Sequence, residues 1–304
     1  MTGKVGTNTE SRKVACAASV AGSIGRTPEH LLSSREHKSV GTVVDIGGVP
    51  VGNTELAVMA GPCAVESAEQ ILRIAREVKA SGANILRGGA FKPRTSPYDF
   101  QGLGKAGLEY LRAASSDTGL PVITEVIDPH HIELVVKYAD CLQIGARNMH
   151  NYSLLREAGR SPRPVLLKRG LSATYKEFLL AAEYVMAEGN NRVILCERGI
   201  RGLSNELRFT LDLNAVPYLK DRTHLPVIVD PSHGTGNARL VPAMSRAAIA
   251  CGADGIIVET HYSPKDSISD AIQTISTAEL IQLIRELAAL AKVVGRRIPL
   301  PLVK

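Results

Sequence analysis

The chain has 304 residues, 44% hydrophobic and 22% charged, which is enough apolar material to bury the core of one large α/β domain or of two small ones. Its formal net charge is +6, but residues 1–40 contain six Lys or Arg against three Asp or Glu and so supply half of that charge, which argues against nucleic-acid binding. Five cysteines without pairwise spacing favour a reducing, cytoplasmic location, and no apolar run reaches the roughly 20 residues of a membrane span.

The beginning of the chain differs in composition from the rest. Residues 1–40 are rich in Ser, Gly and charge, so we interpret them as a flexible, disordered tail. Two short β-branched runs, residues 42–46 and 49–51, then flank a Gly-Gly pair, which predicts a two-stranded β-hairpin that caps one mouth of the following domain. Residues 41–304, hairpin included, are predicted to form a single catalytic domain.

Eight short runs rich in Val, Ile and Leu recur along this domain. They are nearly continuous in apolar residues, as expected for parallel strands buried on both faces. Helix-like segments separate several of them, and a last one covers about residues 277–294. Repeated strand–helix units predict a closed (β/α)8 TIM barrel. The predicted strands are residues 56–62, 84–87, 121–127, 141–145, 164–168, 192–196, 226–230 and 255–259, and the clearest helices between them are residues 68–80, 108–116, 175–188 and 242–251.

Potential metal ligands follow several of these strands directly. Cys63 follows the first strand, His233 follows the seventh, and Glu259 closes the eighth. Asp270 comes eleven residues later. Taken singly, the cysteine is explained as a buried structural thiol and the histidine as a loop cap. The two carboxylates, taken singly, are explained as solvated surface groups. Because the loops after the strands of a parallel barrel form one face, the four together predict a site for one divalent metal ion.

Arg and Lys side chains are concentrated at the same strand ends, beside glycines. Cationic charge inside a barrel mouth is costly unless an anion compensates it, and Arg suits bidentate binding of phosphate or carboxylate. One doubly anionic small molecule, or two phosphorylated ones, would account for this charge. The cationic residues are Arg87, Lys92, Arg147, Lys168 and Arg198.

Six motifs lie at these strand ends. They are residues 61–67 (GPCAVES), 87–96 (RGGAFKPRTS), 143–148 (QIGARN), 166–170 (LLKRG), 196–199 (CERG) and 230–233 (DPSH). Together they resemble the 3-deoxy-D-arabino-heptulosonate 7-phosphate (DAHP) synthases, type I-beta branch. The KPRT element is the most specific part, because the related 3-deoxy-D-manno-octulosonate 8-phosphate synthases carry an Asn-Arg version. KPRT therefore favours erythrose 4-phosphate over arabinose 5-phosphate as the substrate.

The resemblance implies a transferase that condenses phosphoenolpyruvate with erythrose 4-phosphate and water, giving DAHP and phosphate. This is the first step of the shikimate pathway and of aromatic amino acid biosynthesis, and it involves no Schiff base. One divalent ion, Mn²⁺, Co²⁺, Fe²⁺ or Zn²⁺, would polarise the aldehyde or position the water. Its implied ligands are Cys63, His233, Glu259 and Asp270.

The resemblance also implies roles for the remaining site residues. Arg147, Lys168 and Arg198 would hold the phosphate of phosphoenolpyruvate, with Ala146 in the same pocket. Arg87 and Lys92 would lie near its carboxylate, whereas Arg94 and Thr95 would face the erythrose phosphate. The implied catalytic residues are Lys92, Glu125 and His233, although a structural ion-pair role for Glu125 is left equally open.

One segment departs from the family pattern. Residues 259–264 (ETHYSP) lack the Val and Pro expected around the histidine, and Ala271 replaces the usual glycine after Asp270. An alanine forbids easy positive φ, so a different loop path is expected there. Relatives also carry N-terminal sensor domains, for which residues 1–40 are too few, so no feedback inhibition through such a domain is expected.

Two other functions are compatible with parts of the pattern. Lys168 follows a barrel strand, as the nucleophile of a Schiff-base aldolase does. A catalytically silent barrel that senses phosphorylated sugars is the second alternative, although a pure binder would not need Cys63 and His233 together. For the enzyme we expect a cytoplasmic homodimer or homotetramer without nucleic-acid or membrane partners.

Overall fold

Eight parallel strands close into a barrel in the computed structural model, which describes residues 30–94, 96–203 and 206–299. The last barrel strand pairs in parallel with both its predecessor and the first, so no edge is left open. This confirms the predicted (β/α)8 barrel. After a hairpin of β1 (Val44–Ile46) and β2 (Val49–Val51), the barrel strands are β3 (Ala57–Gly61), β4 (Ile85–Arg87), β5 (Val122–Glu125), β6 (Cys141–Ile144), β7 (Val165–Lys168), β8 (Val193–Glu197), β9 (Val227–Val229) and β10 (Gly255–His261).

Helices connect the strands on the outside of the barrel. The helices predicted from periodicity are present, with ends shifted by at most three residues, whereas several short ones escaped prediction because they span only one to three turns. A two-residue strand, β11 (Ile275–Ser276), extends the sheet beside β10. The described helices are α1 (Ala68–Ser81), α2 (Lys105–Thr118), α3 (Ile132–Val136), α4 (Tyr152–Arg160), α5 (Tyr175–Met186), α6 (Ala215–Arg222), α7 (Pro231–Thr235), α8 (Val241–Ala250) and α9 (Thr277–Val293).

Two hydrophobic cores stabilise this arrangement. The larger lies between the strands and the surrounding helices. The smaller lies inside the barrel, where Val44, Ile46 and Val51 of the hairpin pack against inward-facing residues such as Ile123 and Ile228. The hairpin thereby caps the mouth at the N-terminal ends of the strands, as the sequence predicted. The opposite mouth, at the C-terminal ends, is left open for polar side chains.

Residues near the end of the predicted tail pack on the barrel. Residues 1–29 lie outside the described residues, but residues 30–40 contact the barrel. Glu183 of α5 accepts hydrogen bonds from the backbone amides of Leu32 and Ser33, at 2.9 and 2.7 Å. Ser34 also pairs with Thr223. Partners distant in sequence therefore satisfy polar groups within this segment, and the division of the chain at residue 40 stays a prediction.

Candidate metal and phosphate-binding site

Two adjoining cavities open at the C-terminal ends of the barrel strands. The outer cavity is the larger of the two, at about 200 Å³ against about 50 Å³ for the inner one. Lys168 and Ala146 line only the inner one, whereas Arg94 and Asp270 line only the outer one. Both cavities are bordered by Lys92, Glu125, Arg147, Arg198, Arg208 and His233.

Three predicted metal ligands meet beside these cavities. Cys63, Glu259 and Asp270 each offer one donor atom, and these atoms lie within 4.8 Å of one another. The sulfur of Cys63 is 3.0 Å from Oδ2 of Asp270. Cys63 follows β3, Glu259 lies in β10 and Asp270 lies in the loop after it, and they meet because β3 and β10 are neighbours in the closed sheet.

His233 approaches the same group through Glu259. It lies in α7, which begins directly after β9 because Asp230 accepts a hydrogen bond from the His233 backbone amide at 2.9 Å. The other oxygen of Asp230 is 2.8 Å from Nδ1 of His233. Nε2 of His233 is therefore directed to Glu259, with 3.4 Å to its Oε1. A carboxylate behind the imidazole is a common way to orient a metal-binding histidine.

The protonation states of these groups follow from their burial. Burial, together with the charge of Glu259, raises the pKa of the Cys63 thiol to about 12. Burial lowers the pKa of His233, and it opposes ionisation of Asp270. The pKa of Asp270 is nevertheless lowered, by the hydrogen bond from Cys63 and by nearby positive charges. A neutral imidazole and an ionised carboxylate are ready to bind a cation, whereas the thiol must first lose its proton.

The loop that carries Asp270 tolerates the alanine that follows it. Among the described residues, Asp270 is the one non-glycine with positive φ, at 55°. Ala271 begins the 3₁₀ turn Ala271–Gln273, so the departure from glycine falls on ordinary backbone. Glu66 anchors the loop by accepting a hydrogen bond from the amide of Ile268 at 3.0 Å. The carboxylate of Asp270 therefore stays beside Cys63.

The predicted cations surround the inner cavity. Arg87 donates to Oε1 of Glu259 at 3.1 Å, and Lys92 lies 2.9 Å from the sulfur of Cys63. Lys168 forms a buried ion pair with Asp230 at 2.5 Å. Arg198 is 5% exposed and stacks over the ring of Phe209. Arg147 is more exposed and donates to the carbonyl of Pro93 at 3.3 Å.

The remaining predicted residues lie around the same mouth. Arg94 donates to Oγ of Ser269 at 2.5 Å, which ties the KPRT loop to the loop of Asp270. Thr95 lies outside the described residues. Glu125 accepts a hydrogen bond from Gln143 at 3.4 Å. A Cβ at Gly145 would stand 2.0 Å from Oε1 of Glu125, so only glycine allows this carboxylate its place.

Three residues of the site escaped sequence reasoning. Arg208 borders both cavities, and Gln273 donates to Oε2 of Glu259 at 2.6 Å. Neither directly follows a predicted strand, so strand-end position gave no signal for them. Asp230 was quoted only as part of the DPSH motif. Its place one residue after a buried strand was the available signal.

The chain is similar in sequence to known proteins over most of its length. A model of the DAHP synthetase I family matches residues 36–295. A phospho-2-dehydro-3-deoxyheptonate aldolase of Thermotoga maritima is 48% identical over 267 residues, which are 88% of this chain and 79% of that protein. A 2-dehydro-3-deoxyphosphooctonate aldolase of Bradyrhizobium diazoefficiens is 32% identical over 270 residues, covering 83% of this chain and 95% of its own length.

Two solved structures have the same fold. The crystal structure of the DAHP synthase from Thermotoga maritima superposes with a TM-score of 0.87 at 41% identity, covering 97% of each chain. A truncated form of the 3-deoxy-D-arabino-heptulosonate 7-phosphate synthase from Thermotoga maritima gives a TM-score of 0.84 at 44% identity, covering 89% of this chain and 100% of that one.

Proposed function

The chain belongs to the DAHP synthetase I family, and from this premise we propose that it condenses phosphoenolpyruvate with erythrose 4-phosphate and water, giving DAHP and phosphate. The observation that carries the proposal is the meeting of sulfur, nitrogen and oxygen donors beside a cavity lined by buried cations. The donors suit a divalent ion, and the cations suit substrates with phosphate and carboxylate groups. The enzyme would thus join two anionic molecules next to a metal.

The donor set fits one divalent metal ion. A thiolate, an imidazole and two carboxylates form a mixed S, N, O set that accepts several first-row ions. Cys63, His233, Glu259 and Asp270 are the residues that would hold it. When bound, the ion supplies Lewis-acid polarisation of a carbonyl oxygen and a template for water.

The inner cavity suits phosphoenolpyruvate. Arg147, Lys168 and Arg198 would bind its phosphate, with the backbone of Ala146 alongside. Burial lowers the pKa of Arg198, and the charge of Arg208 adds to this, so an anion in the cavity relieves an unfavourable concentration of positive charge.

The carboxylate of phosphoenolpyruvate would lie at the other side of the inner cavity. Arg87 and Lys92 face it from the end of β4 and from the loop that follows. Burial works against the charge on Lys92, yet its pKa is raised by Cys63, Glu259 and Glu125. Lys92 therefore stays an ammonium group, which suits both a carboxylate and proton donation to a developing alkoxide.

The outer cavity suits the aldose phosphate, with Arg94 at its wall and Thr95 next in the chain. In the reaction, the methylene carbon of phosphoenolpyruvate bonds to the aldehyde carbon, and the aldehyde oxygen takes up a proton. Water adds to the cationic carbon that results, loses a proton and gives a tetrahedral carbon. The C–O bond to phosphate then breaks, so that phosphate leaves and the ketone of DAHP forms. Glu125 borders both cavities, where a carboxylate can accept the proton of this water.

Removing the metal is the first test of the proposal. Treatment with EDTA is expected to abolish phosphate release from phosphoenolpyruvate and erythrose 4-phosphate, and Mn²⁺ or Co²⁺ is expected to restore it. The parallel assay replaces erythrose 4-phosphate with arabinose 5-phosphate, for which little turnover is expected. Turnover that resists EDTA, or a preference for the five-carbon sugar, contradicts the proposed reaction.

The alternatives predict different results in the same assay. A Schiff-base aldolase ignores EDTA and is trapped by borohydride, but Lys168 is held in a buried ion pair with Asp230 and has no free lone pair for attack. A sugar-phosphate sensor binds phosphoenolpyruvate without turnover. The expectations of a homo-oligomer and of no feedback inhibition stay predictions.

Replacing Arg94 with alanine is expected to affect the two substrates unequally. The KM for erythrose 4-phosphate should rise roughly 10- to 100-fold, because one or two hydrogen bonds to a charged group are lost. The KM for phosphoenolpyruvate should rise much less. Steady-state kinetics with each substrate varied in turn gives both values. Because Arg94 also donates to Ser269, metal affinity is measured alongside.

The control for this variant is Arg192→Ala at the other end of the barrel. Arg192 donates to the carbonyl of Pro162 at 2.8 Å, much as Arg94 donates to that of Phe100 at 3.1 Å. Its loss should leave both KM values unchanged. Equal increases for the two substrates in Arg94→Ala contradict the assignment of the two phosphate pockets.

A further inference from the structure

Arg208 lies in a loop that is packed tightly against the end of α7. The αL conformation of Gly236, with φ at +66°, ends this helix. A Cβ at Gly236 would stand 2.5 Å from Cβ of Arg208, so the loop approaches to a distance that only glycine allows. The guanidinium of Arg208 consequently reaches the loop of Asp270 from a position defined by the helix that carries His233.

Arg208 and Gln273 link two of the metal-binding carboxylates. Nη1 of Arg208 donates to Oδ1 of Asp270 at 3.2 Å and to Oε1 of Gln273 at 2.8 Å. Nε2 of Gln273 in turn donates to Oε2 of Glu259 at 2.6 Å. Gln273 is 2% exposed, so its amide depends on these partners for hydrogen bonds.

The chemistry of its neighbours determines the orientation of the Gln273 amide. A guanidinium only donates, so the amide oxygen must face Arg208. An ionised carboxylate only accepts, so the amide NH₂ must face Glu259. Arg87 donates to the other oxygen of Glu259 at 3.1 Å, so this buried carboxylate is surrounded by donors and acts as the acceptor.

These contacts hold one oxygen of each carboxylate, while the other oxygen faces the remaining donors, with Arg87 also contacting Oε1 of Glu259. The second oxygen of Asp270, Oδ2, lies 3.0 Å from the sulfur of Cys63. The second oxygen of Glu259, Oε1, lies 3.4 Å from Nε2 of His233. In each carboxylate, one oxygen therefore accepts a hydrogen bond from Arg208 or Gln273. The other oxygen faces the potential metal ligands Cys63 and His233.

We propose that Arg208 and Gln273 are positioning residues that fix which oxygen of Asp270 and of Glu259 a divalent cation meets. The inference rests on the proposed function and deepens it by adding support around the four predicted ligands. Groups that orient ligands in this way commonly control metal affinity. Gln273 is the central member, because it contacts both Arg208 and Glu259.

Cobalt binding tests the inference without reliance on turnover. The full chain, stripped of metal by a chelator, is titrated with Co²⁺ alone, and the variant Gln273→Met keeps a side chain of similar length without the amide. We expect Co²⁺ affinity to fall about 10-fold or more, the usual effect of losing an outer-shell partner. The thiolate-to-cobalt absorption band should persist because Cys63 is intact, whereas the d–d bands should change shape as Glu259 is released.

A second variant makes the test independent of the folding of the first. Arg208→Met should weaken Co²⁺ binding less than Gln273→Met, because removal of a positive charge next to Asp270 partly offsets the loss of orientation. Since Arg208 contacts Asp270 itself but also orients Gln273, the double variant should lose less affinity than the sum of the two single losses. Fully additive losses, or wild-type affinity and d–d bands in folded Gln273→Met, overturn the inference.

Matched controls exist on the outer surface. Gln282 donates to Glu286 at 2.9 Å, and Arg246 pairs with the same Glu286. Gln282→Met and Arg246→Met therefore remove the same chemical groups far from the donors and should leave Co²⁺ binding unchanged. A wild-type chain that binds no divalent ion overturns the proposed function as well. A wild-type chain that binds Co²⁺ and turns over, with Gln273→Met unchanged, overturns only this inference.

Discussion

Serine in place of Cys63 is expected to lower metal-supported turnover by about 100-fold or more. Loss of a metal ligand should have a larger effect than loss of a residue that only orients a ligand, which typically costs about 10- to 100-fold. The thiol is fully buried and points at Asp270 and Lys92. A bound cation can displace its proton, because a thiolate is a strong ligand for such ions. A serine hydroxyl ionises far less readily and is shorter, so both charge and reach are lost.

Metal content and activity must be measured together for this variant. Co²⁺ titration of Cys63→Ser should show no thiolate-to-cobalt band, and the thermal unfolding midpoint should stay near that of the wild type because the replacement is small. Cys251→Ser is the control, since this half-buried cysteine lies at the end of α8, before the N-terminal end of β10 and therefore at the other end of that strand from Glu259. Full activity in Cys63→Ser contradicts a role for this residue in the site.

The barrel could be predicted because its strands have a simple signature. Strands such as β7 and β8 are buried along their whole length, so their sequences are continuously apolar and easily recognised. The short helices α3 and α7 could not be predicted, because five residues give too little periodicity to distinguish a helix from a loop. Their presence depends on caps and on packing against the barrel.

The site was predictable where a functional residue directly follows a strand. Cys63, His233 and Lys168 are of this kind, because a barrel brings all strand ends to one face whatever their separation along the chain. Arg208 and Gln273 lie in long loops, and their roles depend on contacts between segments that local sequence does not encode. The support around a ligand set is therefore harder to find than the set itself.

The contacts of residues 32 and 33 with the barrel could not be predicted from composition for a related reason. The Ser residues near position 33 resemble a disordered segment, yet Glu183 accepts hydrogen bonds from the backbone amide and the hydroxyl of Ser33. A partner 150 residues away along the chain decides whether this polar stretch is ordered. Composition measures how much apolar surface a segment can bury, and it does not measure hydrogen bonds offered by the rest of the fold.

Asparagine in place of Asp230 is expected to weaken both the fold and the metal site. Asp230 is 1% exposed and accepts hydrogen bonds from Lys168 and from two groups of His233. Removing one partner of a buried ion pair costs roughly 3–5 kcal/mol of unfolding free energy, because the other charge stays buried and unpaired. Denaturant unfolding of Asp230→Asn should show a loss of this size.

The same substitution also changes the protonation of His233. When its amide oxygen accepts the hydrogen bond from the His233 backbone amide, the asparagine points its NH₂ group at Nδ1 of His233. Nδ1 must then accept a hydrogen bond from that group. The imidazole proton consequently moves to Nε2, the atom directed at Glu259, and no lone pair is left there for a metal. We expect Co²⁺ affinity to fall by about 10- to 100-fold in Asp230→Asn, the usual effect of losing the carboxylate that orients a metal-binding histidine.

Asp254 provides a control that separates the two effects. It is fully buried at the beginning of β10 and pairs with Lys220 and Arg296, at the opposite end of the barrel from His233. Asp254→Asn should therefore lower the unfolding free energy while Co²⁺ affinity stays at the wild-type value. If both variants lose the same stability and the same affinity, the loss at Asp230 reflects a damaged fold. If only Asp230→Asn loses affinity, the carboxylate acts through the tautomer of His233, and the metal site depends on a residue that contacts no metal itself.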